Sequence, residues 1–108
     1  SGIETKLLYS DILYLSSDNH YTKVVDRTGR EYLPYIYYAS LSAPLMEDQR
    51  FLQVSRGILC NMDYIVEFTK NTCILTEKHT VPITIRNAKK LQQAWHNYTF
   101  SKMHRLLE

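Results

Sequence analysis

Arg56 stands in the turn of "FLQVSRGILCNMDYIVEF", residues 51 to 68, between Ser55 and Gly57, with an apolar run and then Asn61 behind it. A serine at a turn invites a nucleophile reading. A hydrolase serine, however, needs a base in reach and a strained glycine-flanked elbow, and Ser55-Arg56-Gly57 has no such frame. The histidines His20, His79, His96 and His104 are spaced like no metal motif, and no acidic pair shares an apolar setting where one carboxyl would stay protonated. There is no glycine-rich phosphate loop. No catalytic residue, metal or cofactor is expected, so the chain reads as a binding domain rather than an enzyme.

The chain has 108 residues, 44% hydrophobic and 22% charged, which suits one globular domain over 1–108 with a core large enough to need no staple. The opening Ser1-Gly2 reads as a cloning remnant, and residues from about 100 to 108 as either a tail or, through Met103, Leu106 and Leu107, an extension of the C-terminal helix. Cys60 and Cys73 lack a C-x-x-C spacing and sit in apolar strand-like contexts, so buried free thiols are expected, which favours the cytoplasm. No run of 18 apolar residues is present. Net charge is only +2, but its distribution is uneven. From Lys78 to Leu107 there are six basic residues (Lys78, Arg86, Lys89, Lys90, Lys102 and Arg105) and no acidic one. That asymmetry fits an anionic partner, and a solvated helix face fits it equally well.

The elements that would hold these residues are mostly strands. With nine tyrosines, many β-branched residues and little alanine in the chain, Lys6 to Tyr9, Ile12 to Leu15, Tyr21 to Asp26 and Glu31 to Ile36 read as strands, and Ser16 to His20 is a polar loop. Arg27-Thr28-Gly29-Arg30 makes a hairpin turn with a positive φ at the glycine. Ser40 caps a short helix through about Glu47, with Pro44 in its first turn. Phe51 to Val54 is strand and Ser55 to Asn61 irregular; Tyr64 to Phe68, Cys73 to Thr76 and Val81 to Ile85 continue an antiparallel meander. From Asn87 on, capped by Asn87 or a neighbour, a helix carries Ala88, Leu91, Trp95 and Tyr98 on one stripe.

Four segments, in order, resemble the LytTR DNA-binding domains of bacterial response regulators: "DILYLSSDNHYTKVV", "SLSAPL", "RFLQVSRGILCNMDYIVEF" and "VPITIRNAKKL". The resemblance runs from about Lys6 to Tyr98. It implies a mostly β fold: an elongated antiparallel scaffold with a short inserted helix and a C-terminal helix, reading DNA from loops and not from a recognition helix. By the same resemblance His20, Arg56 and Arg86 would contact bases. An arginine fork can donate twice to guanine O6 and N7. Ser55, the Gly57 amide, Asn87, Lys89 and Lys90 would contact phosphates, with Lys23 and Lys78 as weaker candidates. Such contacts fix register without reading sequence. Asn61 would be structural, a buried amide tying irregular backbone.

The residues themselves leave rivals open. Arg56 can pair with Asp63, Arg86 can close a strand end, and His20 can be an ordinary loop residue. Two departures from the family pattern, Gly57 where a serine is common and Ile85 where a basic residue is common, bear on the target sequence more than on binding. The expected partner is double-stranded DNA, with two copies as a homodimer on direct repeats, an upstream receiver domain and no membrane contact. A protein-interaction module, or a single-strand binder stacking bases on Tyr35, Tyr37 and Tyr38, is the alternative.

Overall fold

Backbone N–H and C=O groups taken from water must pair, and in this chain they pair in two antiparallel sheets. The structure, a computed structural model, describes residues 6–107; Ser1-Gly2, read above as a cloning remnant, lies outside them. Strands β1 (Ile12–Asp18), β2 (Tyr21–Asp26), β3 (Glu31–Tyr32), β4 (Phe51–Ser55) and β5 (Ile58–Asn61) form a five-stranded sheet in the order β3-β2-β1-β5-β4. Strands β6 (Ile65–Phe68), β7 (Thr72–Leu75) and β8 (Thr80–Pro82) form a second, three-stranded sheet. Helix α1 (Tyr38–Met46) joins β3 to β4, and α2 (Ala88–Leu107) follows β8.

Ile12, Leu13, Tyr14 and Leu15 are all buried, which simple alternation over one covered face does not allow. Two things reconcile them. A bulge between Ile12 and Tyr14 rephases β1, and both faces of its sheet are covered. On one side Leu13, Tyr14, Val54 and Cys60 pack with Ile65, Phe68, Cys73 and Leu75 of the smaller sheet, sealed by Leu91, Trp95 and Tyr98 of α2. On the other, Ile12, Leu15, Val24, Phe51 and Leu59 meet Leu45 of α1. Cys60 and Cys73 face each other between the sheets as fully buried free thiols; the hydrogen bond with Cys73 and the burial both push the Cys60 thiol well up.

Two buried polar side chains organise the backbone. The Asn61 amide donates to the Ile12 carbonyl at 2.9 Å and the Tyr9 carbonyl at 3.5 Å, and its oxygen accepts from the Asp63 N–H at 2.9 Å. It thereby caps the 3-10 turn Met62–Tyr64 and ties it to the start of β1. Asp26, at the end of β2, accepts from the Thr28 hydroxyl at 2.6 Å, the Thr28 and Arg30 amides at 2.9 and 3.0 Å, and the Tyr32 hydroxyl at 2.9 Å. Burial pushes its carboxyl up, but those four donors together outweigh it and bring it down to about 2. Gly29, at φ +91°, supplies the left-handed residue of the same turn.

Several element boundaries differ from the sequence expectations, each for a local reason. Lys6 to Tyr9 is not a strand: the Asp11 carboxylate and N–H both bond to Leu8, folding Tyr9–Asp11 into a 3-10 turn. Ser16 to Asp18, expected as loop, belongs to β1 because it pairs with β2 as far as Asp18. The strand expected over Glu31 to Ile36 stops at Tyr32; past it, the carbonyls of Pro34 and Ile36 bond Thr22 instead of a ladder. Helix α1 begins at Tyr38, not after Ser40, since the Tyr37 carbonyl accepts from both Ser40 and Leu41, and Pro44 falls in the helix interior. Packing of Tyr38, Leu41 and Leu45 onto the sheet overrides the better intrinsic cap.

Most consequentially, Ser55 to Asn61 is not irregular: only Arg56 and Gly57 turn, and Ile58–Asn61 is the strand β5 between β1 and β4. Val81 to Ile85 likewise shortens, with β8 ending at Pro82 and Ile85–Asn87 forming a 3-10 turn from which α2 grows directly, so Asn87 lies in that turn. The sixth strand starts at Ile65, not Tyr64. Of the two readings of residues 100–107, tail or extended helix, the structure shows helix.

Replacing Asn61 by alanine leaves buried backbone groups unpaired at about 1–3 kcal/mol each, so the melting temperature should fall by more than about 4 °C. A thermal melt followed by circular dichroism reads this, and an unchanged midpoint refutes the bridging role. Asp26 has a folded value below its unfolded 3.8, so its stabilisation is complete above about pH 4 and is lost as pH falls toward about 2. An Asp26→Asn variant should therefore be less stable at neutral pH yet lose less further stability between about pH 4 and about pH 2 than the parent, measured by urea titration at each pH.

Candidate nucleic-acid interface

The antiparallel order β3-β2-β1-β5-β4 brings the β1–β2 turn and the β4–β5 turn to the same end of the sheet. In the first turn Asn19 takes a left-handed φ of 57° and His20 follows it; in the second Arg56 precedes Gly57 at φ +75°. The two turns are laced together, because the Ser17 N–H donates to the Gly57 carbonyl at 2.7 Å. Position 57 must be glycine for two reasons at once. A Cβ there would stand 2.9 Å from the Ser17 Cβ, and the backbone is in the left-handed region. On the far side of β4 the Thr84 N–H donates to the Val54 carbonyl at 2.9 Å, which fastens the segment carrying Arg86 to the strand that ends in Arg56's turn.

The segments that carry His20, Arg56 and Arg86 are therefore attached side by side along one sheet end. At roughly 4.8 Å per strand, His20 and Arg56 are separated by about two strand widths, on the order of 10 Å. Both arginines are exposed and, among the described residues, neither guanidinium makes a hydrogen bond or an ion pair. Other arginines are committed: Arg27 pairs with Asp11 at 3.2 Å, Arg50 with Asp48 at 2.9 Å, and Arg30 lies over the Tyr32 ring. Asp63, the rival partner considered for Arg56, instead accepts from the Tyr98 hydroxyl at 2.8 Å and the Lys102 ammonium at 2.6 Å. Burial raises the Asp63 carboxyl, but Lys102 and Tyr98 outweigh it and hold it below the usual carboxylate range. That pair pins α2 to the body; it does not engage the turn.

The remaining candidates divide. Ser55 ends β4 opposite Ile58, and the Asn87 N–H donates to the Thr84 carbonyl at 2.9 Å, so both lie in the laced segments. Lys89 and Lys90 are exposed in the first turn of α2, which carries no acidic residue; the Ala88 N–H is already taken by the Ile85 carbonyl of the preceding 3-10 turn, so the two ammonium groups are what that turn offers an anion. Lys23 is half-buried with its ammonium 5.8 Å from the Tyr14 ring centre, in mid-strand. Lys78 is not brought to the same end. It adjoins His79, whose ring contacts Tyr14 and would be 3.4 Å from a Cβ on Gly29, in the turn at the other end of β2. Sequence reasoning also missed neighbours of His20: its ring centre is 6.3 Å from that of Tyr35 and 6.4 Å from that of Tyr37.

Residues 5–96 match the family model of the LytTr DNA-binding domain. The chain belongs to the LytTR family. Its solved structural relatives include the LytTr DNA-binding domain of a Bacillus cereus protein described as a methyl-accepting/DNA response regulator, 17% identical, with a TM-score of 0.65 over 82% of this chain and 84% of that one. At that identity the likeness is one of fold. No curated protein sequence matches the chain. As a LytTR domain, the protein is a DNA-binding module built on mostly antiparallel strands with a C-terminal helix.

In this LytTR domain the Ser17–Gly57 contact can be tested by size. A Gly57→Ala variant should loosen the junction of the two turns, seen as faster hydrogen exchange at the Ser17 amide with exchange in β6 to β8 unchanged. Adding Ser17→Gly removes the Cβ it meets and should slow that exchange part of the way back; no recovery in the double variant would show that backbone strain alone is responsible.

Proposed function

We propose that the domain binds duplex DNA sequence-specifically as the output module of a bacterial transcriptional regulator. His20, Arg56 and Arg86 read base edges, while Ser55, the Gly57 amide, Asn87, Lys89 and Lys90 hold phosphates. The observation that supports this most is the row of three tips along one sheet end, with both guanidinium groups free of partners among the described residues. An unpaired arginine fork held by a short turn on a rigid strand pair is suited to bidentate contact with guanine. Lysines at the head of α2 supply affinity without sequence information.

The family is one of DNA-binding domains, and the Bacillus cereus relative is described as part of a response regulator, which supports a two-component setting with a receiver domain upstream. Two copies on direct repeats, each bending its site, would add readout at bases that no side chain touches.

Selection of duplexes from a random library, followed by footprinting, gives the site on which this is tested. Arg86→Ala should cost about 1–3 kcal/mol on the selected site and relax preference at one base pair. Lys89→Ala should weaken selected and random duplexes alike and lower the salt slope by about one. If Arg86→Ala loses equally on selected and random DNA, its base-reading role is removed.

A further inference from the structure

The segment between β3 and α1, residues 33–37, has two sides. Leu33, Pro34 and Ile36, the first and last of them still exposed in part, line an open apolar cavity of about 650 Å³ against the sheet and α1. Tyr35 and Tyr37 do not line it and are 72% and 65% exposed, so they are not there to fill the core. The segment is held in place from below: buried Thr22 donates its hydroxyl to the Ile36 carbonyl at 2.7 Å and its N–H to the Pro34 carbonyl at 3.3 Å. Thr22 pairs with Ser17 across β1 and β2, the same Ser17 that bonds Gly57. Residues 33–37 are thus a fourth attachment on the sheet end that carries His20, Arg56 and Arg86, lying beyond His20 and opposite Arg86.

The two tyrosines stand on His20. Their rings are 6.3 and 6.4 Å from the imidazole centre, and Tyr21 meets Tyr35 edge-on at 5.0 Å. Neither the Tyr35 nor the Tyr37 hydroxyl has a hydrogen-bond partner among the described residues. Large aromatic side chains left in water around a polar ring, with free donors at their tips, mark a contact surface and not a packing one.

We propose that Tyr35 and Tyr37 form a clamp at the DNA interface: their rings fix the imidazole of His20, and their hydroxyls donate to phosphate oxygens beside the base that His20 reads. This rests on the duplex reading above. A duplex laid along the row of tips passes over both phenols, and a phenol is a neutral donor. It adds a hydrogen bond to the backbone without releasing a counterion, which separates its signature from that of a lysine.

The test is fluorescence anisotropy at several salt concentrations with two labelled duplexes, one selected by the wild-type protein from a random library and one of shuffled sequence. Tyr35→Phe and Tyr37→Phe keep the rings and hence the fold. Each should bind both duplexes about 3- to 10-fold more weakly, the worth of one hydrogen bond, with the salt slope unchanged. The double variant Tyr35→Leu/Tyr37→Leu removes the rings as well and should in addition shrink the ratio between the two duplexes, with preference lost at the position that His20→Ala also relaxes. Phe variants that bind both duplexes as the parent does, beside a Leu pair that keeps the parent's ratio, overturn the clamp while leaving the duplex reading intact. Wild-type protein that binds neither duplex overturns both.

Discussion

The register of β1 within the larger sheet is the constraint on which the rest depends. β1 pairs with β2 on one side and β5 on the other, and its residues are buried on both faces of the sheet. A slip of one residue would carry Ile12 and Tyr14, or Leu13 and Leu15, into the opposite core, so the hydrophobic pattern strongly disfavours it. Fixing β1 fixes where Ser17 ends up, and Ser17 is what joins the β1–β2 turn to Gly57. The relative positions of His20 and Arg56 are therefore inherited from core packing several residues away. Flexible surface turns could not hold two side chains in a common frame without such a tie.

Polar groups do the work that apolar packing cannot at the sheet's opposite end. Asn61 collects backbone from Tyr9, Ile12 and Asp63, where two 3-10 turns meet just past Tyr14 and Cys60, the last pair between β1 and β5. Asp26 gathers four donors around a tight turn. Each satisfies backbone or hydroxyl groups that would otherwise be lost on burial. At the end that carries the turns buried Thr22 is spent on structure in the same way, while the Arg56 and Arg86 guanidinium groups have no partner among the described residues.

How much of this could be read in the residues depended on range. The hairpin β2–β3 with Gly29, the strand Tyr21–Asp26 and the helical stripe through Leu91 and Trp95 follow from local pattern, because period and turn chemistry act within a few residues. The strand Ile58–Asn61 did not, since "ILCN" is buried on both sides of a central strand and shows no alternation to find. Nor did the division of residues 33–37 into an inner and an outer side, because a run of aromatic residues reads as strand until a proline carbonyl is seen bonding elsewhere. Arg56 could be singled out from its neighbours; that Asp63 is already taken, by groups 35 and 39 residues away, could not.

Cys60 and Cys73 meet where the two sheets press together, sealed from solvent and with the Cys60 proton held firmly. A thiol reagent attacks only the ionised form, and it must first get in. These side chains thus act as a built-in clock for the moment the domain comes apart: their alkylation rate reports how often the sheets separate, independently of anything that happens at the outer turns.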